Sequence, residues 1–270
     1  MIYLDENEIK QQLVLMLKDT VAFFDANNIR YSIMSGTMLG AVRHKGFIPW
    51  DDDIDIAVLR EDYNKLIKIL RDSNIVEKPD AVGFELGNHV IPFIKIVNSK
   101  INVEEELAKG RQKLWIDVFP FDGMHKNKQR IRLDNFLIQK IFRRIYIFSN
   151  MDYYAIHPKN CKYKIWNYFL YGISRLSSSK KITRKYIKIC SKIKTSNAIL
   201  VEDCIWGKKP VPKRIFDEFS DYQFENIIVK GFKDYDTYLK CVYGDYMKLP
   251  SEDQRVNHGI KAWRISENEK

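Results

Sequence analysis

Four carboxylates fall within five residues, at Asp51, Asp52, Asp53 and Asp55, and this cluster limits what the chain can fold into more than any other stretch. Such a group repels itself and needs counter-charge. Its end, Asp53-Ile54-Asp55-Ile56, alternates acidic and apolar residues with the period of a strand. A strand sends Asp53 and Asp55 to one face, roughly 7 Å apart, and Ile54 and Ile56 to the other. A solvated acidic turn is the plain alternative, but burial of the two isoleucines fixes the direction in which the aspartates point. Two carboxylates on one exposed face can share divalent ions. Mg²⁺ prefers oxygen ligands and keeps waters and substrate phosphates in its shell.

Upstream, Ile29 to Met34 reads as a first strand, Ser35-Gly36-Thr37 as a turn and Met38 to Arg43 as the start of a helix. That order presents backbone N–H groups and hydroxyls to an anion. Arg43, His44 and Lys45 stand between the turn and the acids, where they can meet the phosphates of a nucleotide or screen the aspartates. Pro49-Trp50 reads either as a rigid wall beside the acids or as a core tryptophan. Downstream, Leu114 to Pro120 is a second loaded strand, with Asp117 between Ile116 and Val118. A lone carboxylate in an apolar run is costly unless it is paired or bound to a metal. Pairing this strand with the Asp53 strand would put Asp117 beside Asp53 and Asp55, three carboxylates for two ions. A strand-end aspartate making a local turn bond is the other reading.

A small-residue turn and helix followed by Asp-apolar-Asp-apolar resembles the nucleotidyltransferase superfamily related to DNA polymerase β. The whole stretch from Ser35 to Ile56 resembles more closely the LicD family of phosphotransferases, which includes phosphocholine transferases and the fukutin-related ribitol-phosphate transferases. The segments Trp115 to Gly123 and Tyr243 to His258 are similar to the same family. The middle of the chain matches only loosely, and Ser35 stands where many members have Gly. The resemblance implies an α/β (α+β) fold, a polymerase-β-like mixed sheet with flanking helices and a basic helical insertion. It also implies a third acid on a neighbouring strand, the place taken here by Asp117, and a C-terminal phosphate or nucleotide contact through Arg255 or His258.

Of the 270 residues, 45% are apolar, enough for a sizeable core. No apolar run approaches the roughly 18 residues of a membrane span. The acidic start, Met1 to Lys10, lacks the basic-then-apolar order of a secretion signal, so a cytoplasmic protein is expected, with peripheral contact on the inner face of the membrane left open. Cys161, Cys190, Cys204 and Cys241 are far apart and form no Cys-x-x-Cys pair, which speaks for ordinary thiols and against a zinc site. The net charge of +10 is regional. Between Lys126 and Lys194, 18 Lys and Arg stand against the two acids Asp134 and Asp152, so this segment is +16 and the remainder −6. Aromatic residues interleave with these cations. A helical subdomain with a plain basic exterior, an anionic membrane surface or lipid-linked acceptor, and nucleic acid are the three readings. Nucleic acid ranks last, and is not expected as a partner, because no recognised module is present.

Glu6 to Asn28 has the apolar spacing of a helix, with Ile9, Leu13, Met16, Leu17, Val21 and Phe24 in one stripe. Arg60 to Asp72 is a second helix, read as a packing element apart from the site, with Tyr63, Leu66, Ile67 and Leu70 inward. Phe84 to Leu86 and Ile91 to Val97 are short strands, and Lys95, which alternates with Ile94 and Ile96, either points into a cleft or, as the first expectation, is solvated. Phe121-Asp122-Gly123 reads as a turn. His157-Pro158 and Ser177-Ser178-Ser179 should break the basic segment into helices. Ile199 to Val201 is a strand, after which Glu202 and Asp203 have no assignable direction. Lys233 to Val242 is a short helix and Tyr243 to Pro250 a loop. The expected division is 1–125 as catalytic core, 126–198 as basic aromatic insertion and 199–270 as a return to the core.

The resemblance supplies the expected reaction, transfer of a phospho-alcohol to a sugar hydroxyl of a surface glycan precursor such as teichoic acid, lipopolysaccharide or capsule. CDP-choline is the first choice of donor, with CDP-ribitol or CDP-glycerol as replacements, and CMP is released. Two-metal logic assigns Asp53, Asp55 and Asp117 to two Mg²⁺ ions, with Mn²⁺ as a substitute. Asp51 orients the acceptor or acts as general base, and Asp52, of opposite strand parity, is a poorer candidate. Ser35, Gly36, Thr37, Arg43 and His44 are the expected donor-binding residues. The runner-up is transfer of NMP from an NTP to a small-molecule hydroxyl, and a non-catalytic membrane- or nucleic-acid-binding protein is the third reading.

Overall fold

One residue separates the first strand, β1 (Ile2–Leu4), from the first helix, α1 (Glu6–Ala26). That residue, Asp5, closes a reciprocal capping box: the Glu8 N–H donates to Asp5 Oδ1 at 2.8 Å and the Asp5 N–H donates to Glu8 Oε2 at 2.9 Å. Ile9, Leu13, Val14, Leu17, Val21 and Phe24 are buried, and Met16 only partly so. The protein is described here by a computed structural model covering residues 2–104, 112–125, 127, 130, 133, 137, 141–150, 164–203, 205, 209–255, 257 and 259–265.

Among these residues eleven strands join into one mixed sheet. Its central path runs from β1 through β11 (Lys261–Arg264), β5 (Ile94–Glu104), β6 (Gln112–Gly123), β3 (Asp55–Leu59), β2 (Ser32–Ile33) and β10 (Ile227–Phe232) to β9 (Phe219–Phe224). Off this path β4 (Ala81–Val82) pairs with β5, and β7 (Leu200–Glu202) joins β6 to β8 (Val211–Pro212). The β3–β6 and β2–β10 pairs are parallel, and the others are antiparallel. The result is an α+β architecture, a multi-strand sheet flanked by helices. Ile56, Ala57 and Val58 of β3 are fully buried, as a central strand covered on both faces requires.

Two further helices position the acidic stretch. α2 (Ser35–His44) begins at the residues read as a turn, so Ser-Gly-Thr forms its first turn and β2 is shorter than the strand expected from Ile29. Gly40 is required by close approach, because a Cβ there would lie 2.3 Å from the Gly46 carbonyl oxygen. α3 (Arg60–Arg71) buries Tyr63, Leu66, Ile67 and Leu70, the face that its spacing gives.

The start of α3 departs from a simple packing element. Arg60 is buried, and its Nε and Nη2 donate to Asp122 Oδ1 and Oδ2, both at 2.7 Å. Asp122 is therefore no turn residue. It continues β6 through Gly123 because a buried guanidinium receives it and β7 pairs alongside it. Phe84–Leu86 is a 3₁₀ turn where a strand was expected. Its Leu86 and Gly87 N–H groups donate back to the Gly83 and Phe84 carbonyls.

The basic segment is helical where it is described: α4 (Arg143–Asn150), α5 (Lys164–Arg175) and α6 (Ser179–Cys190). α4 packs on both of the others. Tyr146 stacks on Tyr186 with ring centroids 5.6 Å apart, in a small cluster with Met124 and Cys190. Ser178 caps α6, within the serine run expected to break the helices; His157 and Pro158, the other expected break, lie outside the described residues. The chain then supplies β7 to β10 and α7 (Tyr235–Tyr243), whose cap is Asp234. Among the described residues no helix is long and apolar enough to cross a membrane.

The Arg60–Asp122 pair gives a direct test of the fold. Asp122→Ala takes the bidentate carboxylate from a buried guanidinium and leaves it only Glu85 Oε2, 3.5 Å from Nη1, a change that costs about 3–5 kcal/mol. Urea unfolding should show a loss of that size, and a loss below about 1 kcal/mol would show that the pair behaves as an exposed one.

Candidate active site

Asp55 opens β3 and Asp117 lies in the middle of β6, and the parallel register makes the two direct neighbours. The Asp117 N–H donates to the Ile54 carbonyl at 3.0 Å, which fixes that register. Asp55 is pinned from α2 as well. Its N–H donates to Thr37 Oγ1 at 2.9 Å, and its carbonyl accepts from the Met34 N–H at 3.0 Å. The Ser35 N–H donates to Tyr238 Oη at 2.9 Å, and Ser35 itself has φ 49°. The helix that begins the motif thus holds the strand that ends it.

Asp51 and Asp53 precede β3 and line a cleft of about 1000 Å³ with Ser35, Gly36, Arg43, Trp50 and Asp55. Asp53 lies outside the paired strand, so its position follows from the Asp51–Ile54 segment and strand alternation does not set it. Asp52 is buried, at 5% exposure. Asp51 lies against the first turn of α2, where a Cβ on residue 36 would come within 2.2 Å of Asp51 Oδ2. A glycine is what lets this carboxylate approach the helix.

A second cavity, of about 310 Å³, also reaches Ser35 and Asp55 and is lined by Phe119, Phe121, Asp203 and Tyr238. Asp203 is the acid that the sequence left without a direction. It follows β7, is 3% exposed, and acts on Asp55. The Asp55 carboxyl is held well above the ordinary carboxylate range, first by burial and then by repulsion from Asp53, Asp117, Asp51 and Asp203.

Lys95 departs from its expected fate as a solvated lysine. It is the cross-strand partner of Asp117 on β5. Its Nζ lies 3.6 Å from Asp117 Oδ1 and 3.6 Å from the centroid of the Trp115 ring. Asp117 therefore has an acid on one side and a cation on the other. Strand alternation offers Lys95 as a cleft residue, but its pairing with Asp117 needs the β5–β6 register.

Of the remaining candidates Arg43 lines the cleft, while His44 and Arg255 touch residues that line it. Arg43 Nη1 donates to the Tyr246 carbonyl at 2.9 Å and its Nε donates to His44 Nε2 at 2.9 Å. Burial, and then the Arg43 charge, lower the His44 pKa and favour its neutral form. Tyr243, Asp245, Tyr246 and Lys248 form the far wall of the cleft; their composition had marked them only as loop. Arg255 sits 5.2 Å from the Trp50 ring centroid and donates from Nε to the Pro250 carbonyl at 3.0 Å. His258 lies outside the described residues.

Among the described residues no three His, Cys, Asp or Glu side chains converge closely enough to make a ready metal cage. The donor set nevertheless fits a hard cation. Its members are carboxylate oxygens whose mutual repulsion is visible at Asp55, and Mg²⁺ is commonly held by one or two carboxylates with substrate phosphates completing its shell.

The site is an acidic cleft walled by a helix N-terminus on a mixed sheet, an arrangement consistent with a nucleotidyltransferase-superfamily protein. The model of the LicD/FKTN/FKRP nucleotidyltransferase domain matches residues 28–151. The lipopolysaccharide cholinephosphotransferase LicD of Haemophilus influenzae is 29% identical over 262 residues, 93% of this chain and 96% of that protein. An uncharacterised protein of Rickettsia prowazekii is 30% identical over 162 residues, 60% of this chain and 50% of its own length. The human ribitol 5-phosphate transferase FKRP is 43% identical over 102 residues, 37% of this chain but 18% of that protein. In these likenesses the chain is a LicD-like phosphotransferase.

Two outcomes test the site geometry. Gly36→Ala should push Asp51 out of place at little cost to stability, because a side-chain end is what yields; turnover falls while the melting temperature stays within a few degrees. An active Gly36→Ala variant would show that the Asp51 position is not needed. The second concerns Asp55. The folded chain without metal holds a proton there that the unfolded chain releases, so stability falls as pH rises from the ordinary aspartate value towards the raised one. Asp55→Asn removes that loss. Its melting temperature without metal should exceed the wild-type value at neutral pH, with the gap closing in acid; no gap at neutral pH would mean that the crowding carries no cost.

Proposed function

We propose that the chain transfers phosphocholine from CDP-choline to a sugar hydroxyl of a cell-surface glycan precursor and releases CMP. The observation that carries the chemistry is the pairing of Asp55 with Asp117 beside a cleft of about 1000 Å³. The choice of choline rests on similarity to the Haemophilus cholinephosphotransferase over 96% of that protein. The fold reading that goes with it is the polymerase-β-like nucleotidyltransferase sheet.

In this reading Asp53, Asp55 and Asp117 would hold Mg²⁺, which when bound supplies charge neutralisation of the diphosphate and a more acidic acceptor hydroxyl. The N-terminus of α2 turns its N–H groups towards the donor phosphates. Arg43 and Lys248 draw the anionic donor into the cleft. Asp51 takes the acceptor proton. The acceptor oxygen bonds to the phosphorus that carries choline, the bond from that phosphorus to the bridging oxygen breaks, and the electron pair leaves with CMP.

NMP transfer from an NTP would use the same carboxylates but attack the α-phosphorus and release pyrophosphate. The deciding experiment incubates the purified chain and Mg²⁺ with CDP-choline, CDP-ribitol, CDP-glycerol and NTPs and identifies the released nucleotide. CMP from CDP-choline is expected, and pyrophosphate from an NTP would overturn the reading. Asp53→Asn and Asp55→Asn should each lower turnover by at least about a hundredfold with the fold intact; near-wild-type turnover in either would remove that residue from the site.

A further inference from the structure

Two helices of the basic segment expose surfaces of opposite kinds. Ile165 and Phe169 on α5, and Leu176 in the turn just after it, are 87%, 58% and 84% exposed. The step of four puts Ile165 and Phe169 on one helix face, and Leu176 extends the exposed apolar surface past the helix end. A Cβ built on Gly172, between them, meets no atom within 4 Å, so the stripe is open along its length. Trp166 stacks on Phe169 with ring centroids 5.7 Å apart and is itself 40% exposed. The other side of α5 is occupied, with Leu170 and Ser174 buried.

On α6 the exposed face is cationic. Lys181, Arg184, Lys185 and Lys188 are all exposed and follow the i, i+3, i+4, i+7 spacing of one face. Tyr186, Ile187 and Cys190 point inward. Both helices pack against α4. From Tyr153 to Val201 the sequence contains no Asp or Glu, so nothing in this segment offsets the positive charge.

We propose that this surface docks on an anionic lipid bilayer, with the α5 stripe entering the boundary between headgroups and acyl chains and the α6 lysines meeting the headgroups. Apolar and aromatic side chains beside a Lys/Arg face suit that interface, and each cation near an anionic surface adds to the attraction. Charge decides the occupant. A second copy of this chain would bring one acid-free lysine face against another, and an uncharged partner would leave the lysines unmet. The contact is interfacial, in keeping with helices too short and too polar to span. It holds whichever phospho-alcohol the cleft transfers.

The full chain is sedimented with phosphatidylcholine vesicles, with and without phosphatidylglycerol. Binding should require phosphatidylglycerol and weaken with salt. Phe169→Ser combined with Leu176→Ser should lower partitioning at least about tenfold. Lys181→Gln combined with Lys188→Gln should lower it by roughly fivefold per charge removed. Brominated lipid should quench tryptophan emission of the wild type and quench Trp166→Phe much less, a readout that needs no catalysis. Wild-type melting and CMP release in the Phe169/Leu176 variant keep a loss of binding from being a loss of fold. Equal binding to neutral vesicles, unchanged partitioning of the Phe169/Leu176 variant, or unchanged quenching in Trp166→Phe would each overturn the proposal. So would a self-association abolished by the Phe169/Leu176 change, or tighter binding of RNA with the same dependence on Phe169.

Discussion

Repulsion between Asp55 and Asp117 is the interaction around which the catalytic part of the chain is arranged. Two carboxylates placed side by side on parallel strands would separate if the side chains alone decided. The backbone prevents this. The Asp117 N–H is tied to the Ile54 carbonyl, the Asp55 N–H to Thr37 and the Asp55 carbonyl to the Met34 N–H. Each tie comes from the peptide chain or a neutral hydroxyl, so none cancels the charge of the two carboxylates. Lys95 is the exception, at 3.6 Å from Asp117 Oδ1. It supplies part of the missing positive charge from the side away from Asp55.

What could be read from the sequence was whatever depends on local period and local cost. Tyr63, Leu66, Ile67 and Leu70 mark the inner face of α3 through helical spacing alone, and the structure buries all four. Asp117 was legible because its apolar neighbours made an unpaired carboxylate expensive. Arg60 gave no such signal, because a charged residue at the start of a helix is ordinary. Its partner Asp122 lies 62 residues away, and only the α3–β6 geometry makes the pair. The Lys95 partner and the direction of Asp203 were obscure for the same reason, since Lys95 meets Asp117 through the β5–β6 register and Asp203 follows β7, which pairs with β6. β1 and β11 have too few residues to show a period, and they become strands by pairing with each other and with β5.

The C-terminal part of the chain shows how a segment with loop composition can belong to the site. Tyr238 reaches the start of α2 through its hydroxyl, and Arg43 reaches back to the Tyr246 carbonyl. These two bonds bracket the cleft, one at each end of α2. A residue from the motif and a residue from the last quarter of the chain therefore share the same wall. The stretch from Tyr243 to Pro250 gives Arg43 a backbone carbonyl and brings Lys248 to the lining of the cleft.

Charge is divided in space as it is divided in sequence. The acids gather where β3, β6 and the residue after β7 meet, and the segment from Lys126 to Lys194 carries a charge of +16. Burial and acid neighbours already raise Asp55, so an anionic donor approaching this centre meets an unfavourable field unless cations accompany it or line its path. Arg43 and Lys248 line the larger cleft and Lys209 the smaller cavity. Arg143 of α4 feels the pull of Asp203, although burial lowers its pKa more strongly. The basic helices therefore do more than present a charged exterior, because their first residue acts electrostatically on the same acid that helps raise Asp55. A site built from carboxylates can receive phosphates only when positive charge is supplied from outside the carboxylate cluster, and the cations that line its two cavities, Arg43, Lys209 and Lys248, come from the first and the last quarter of the chain.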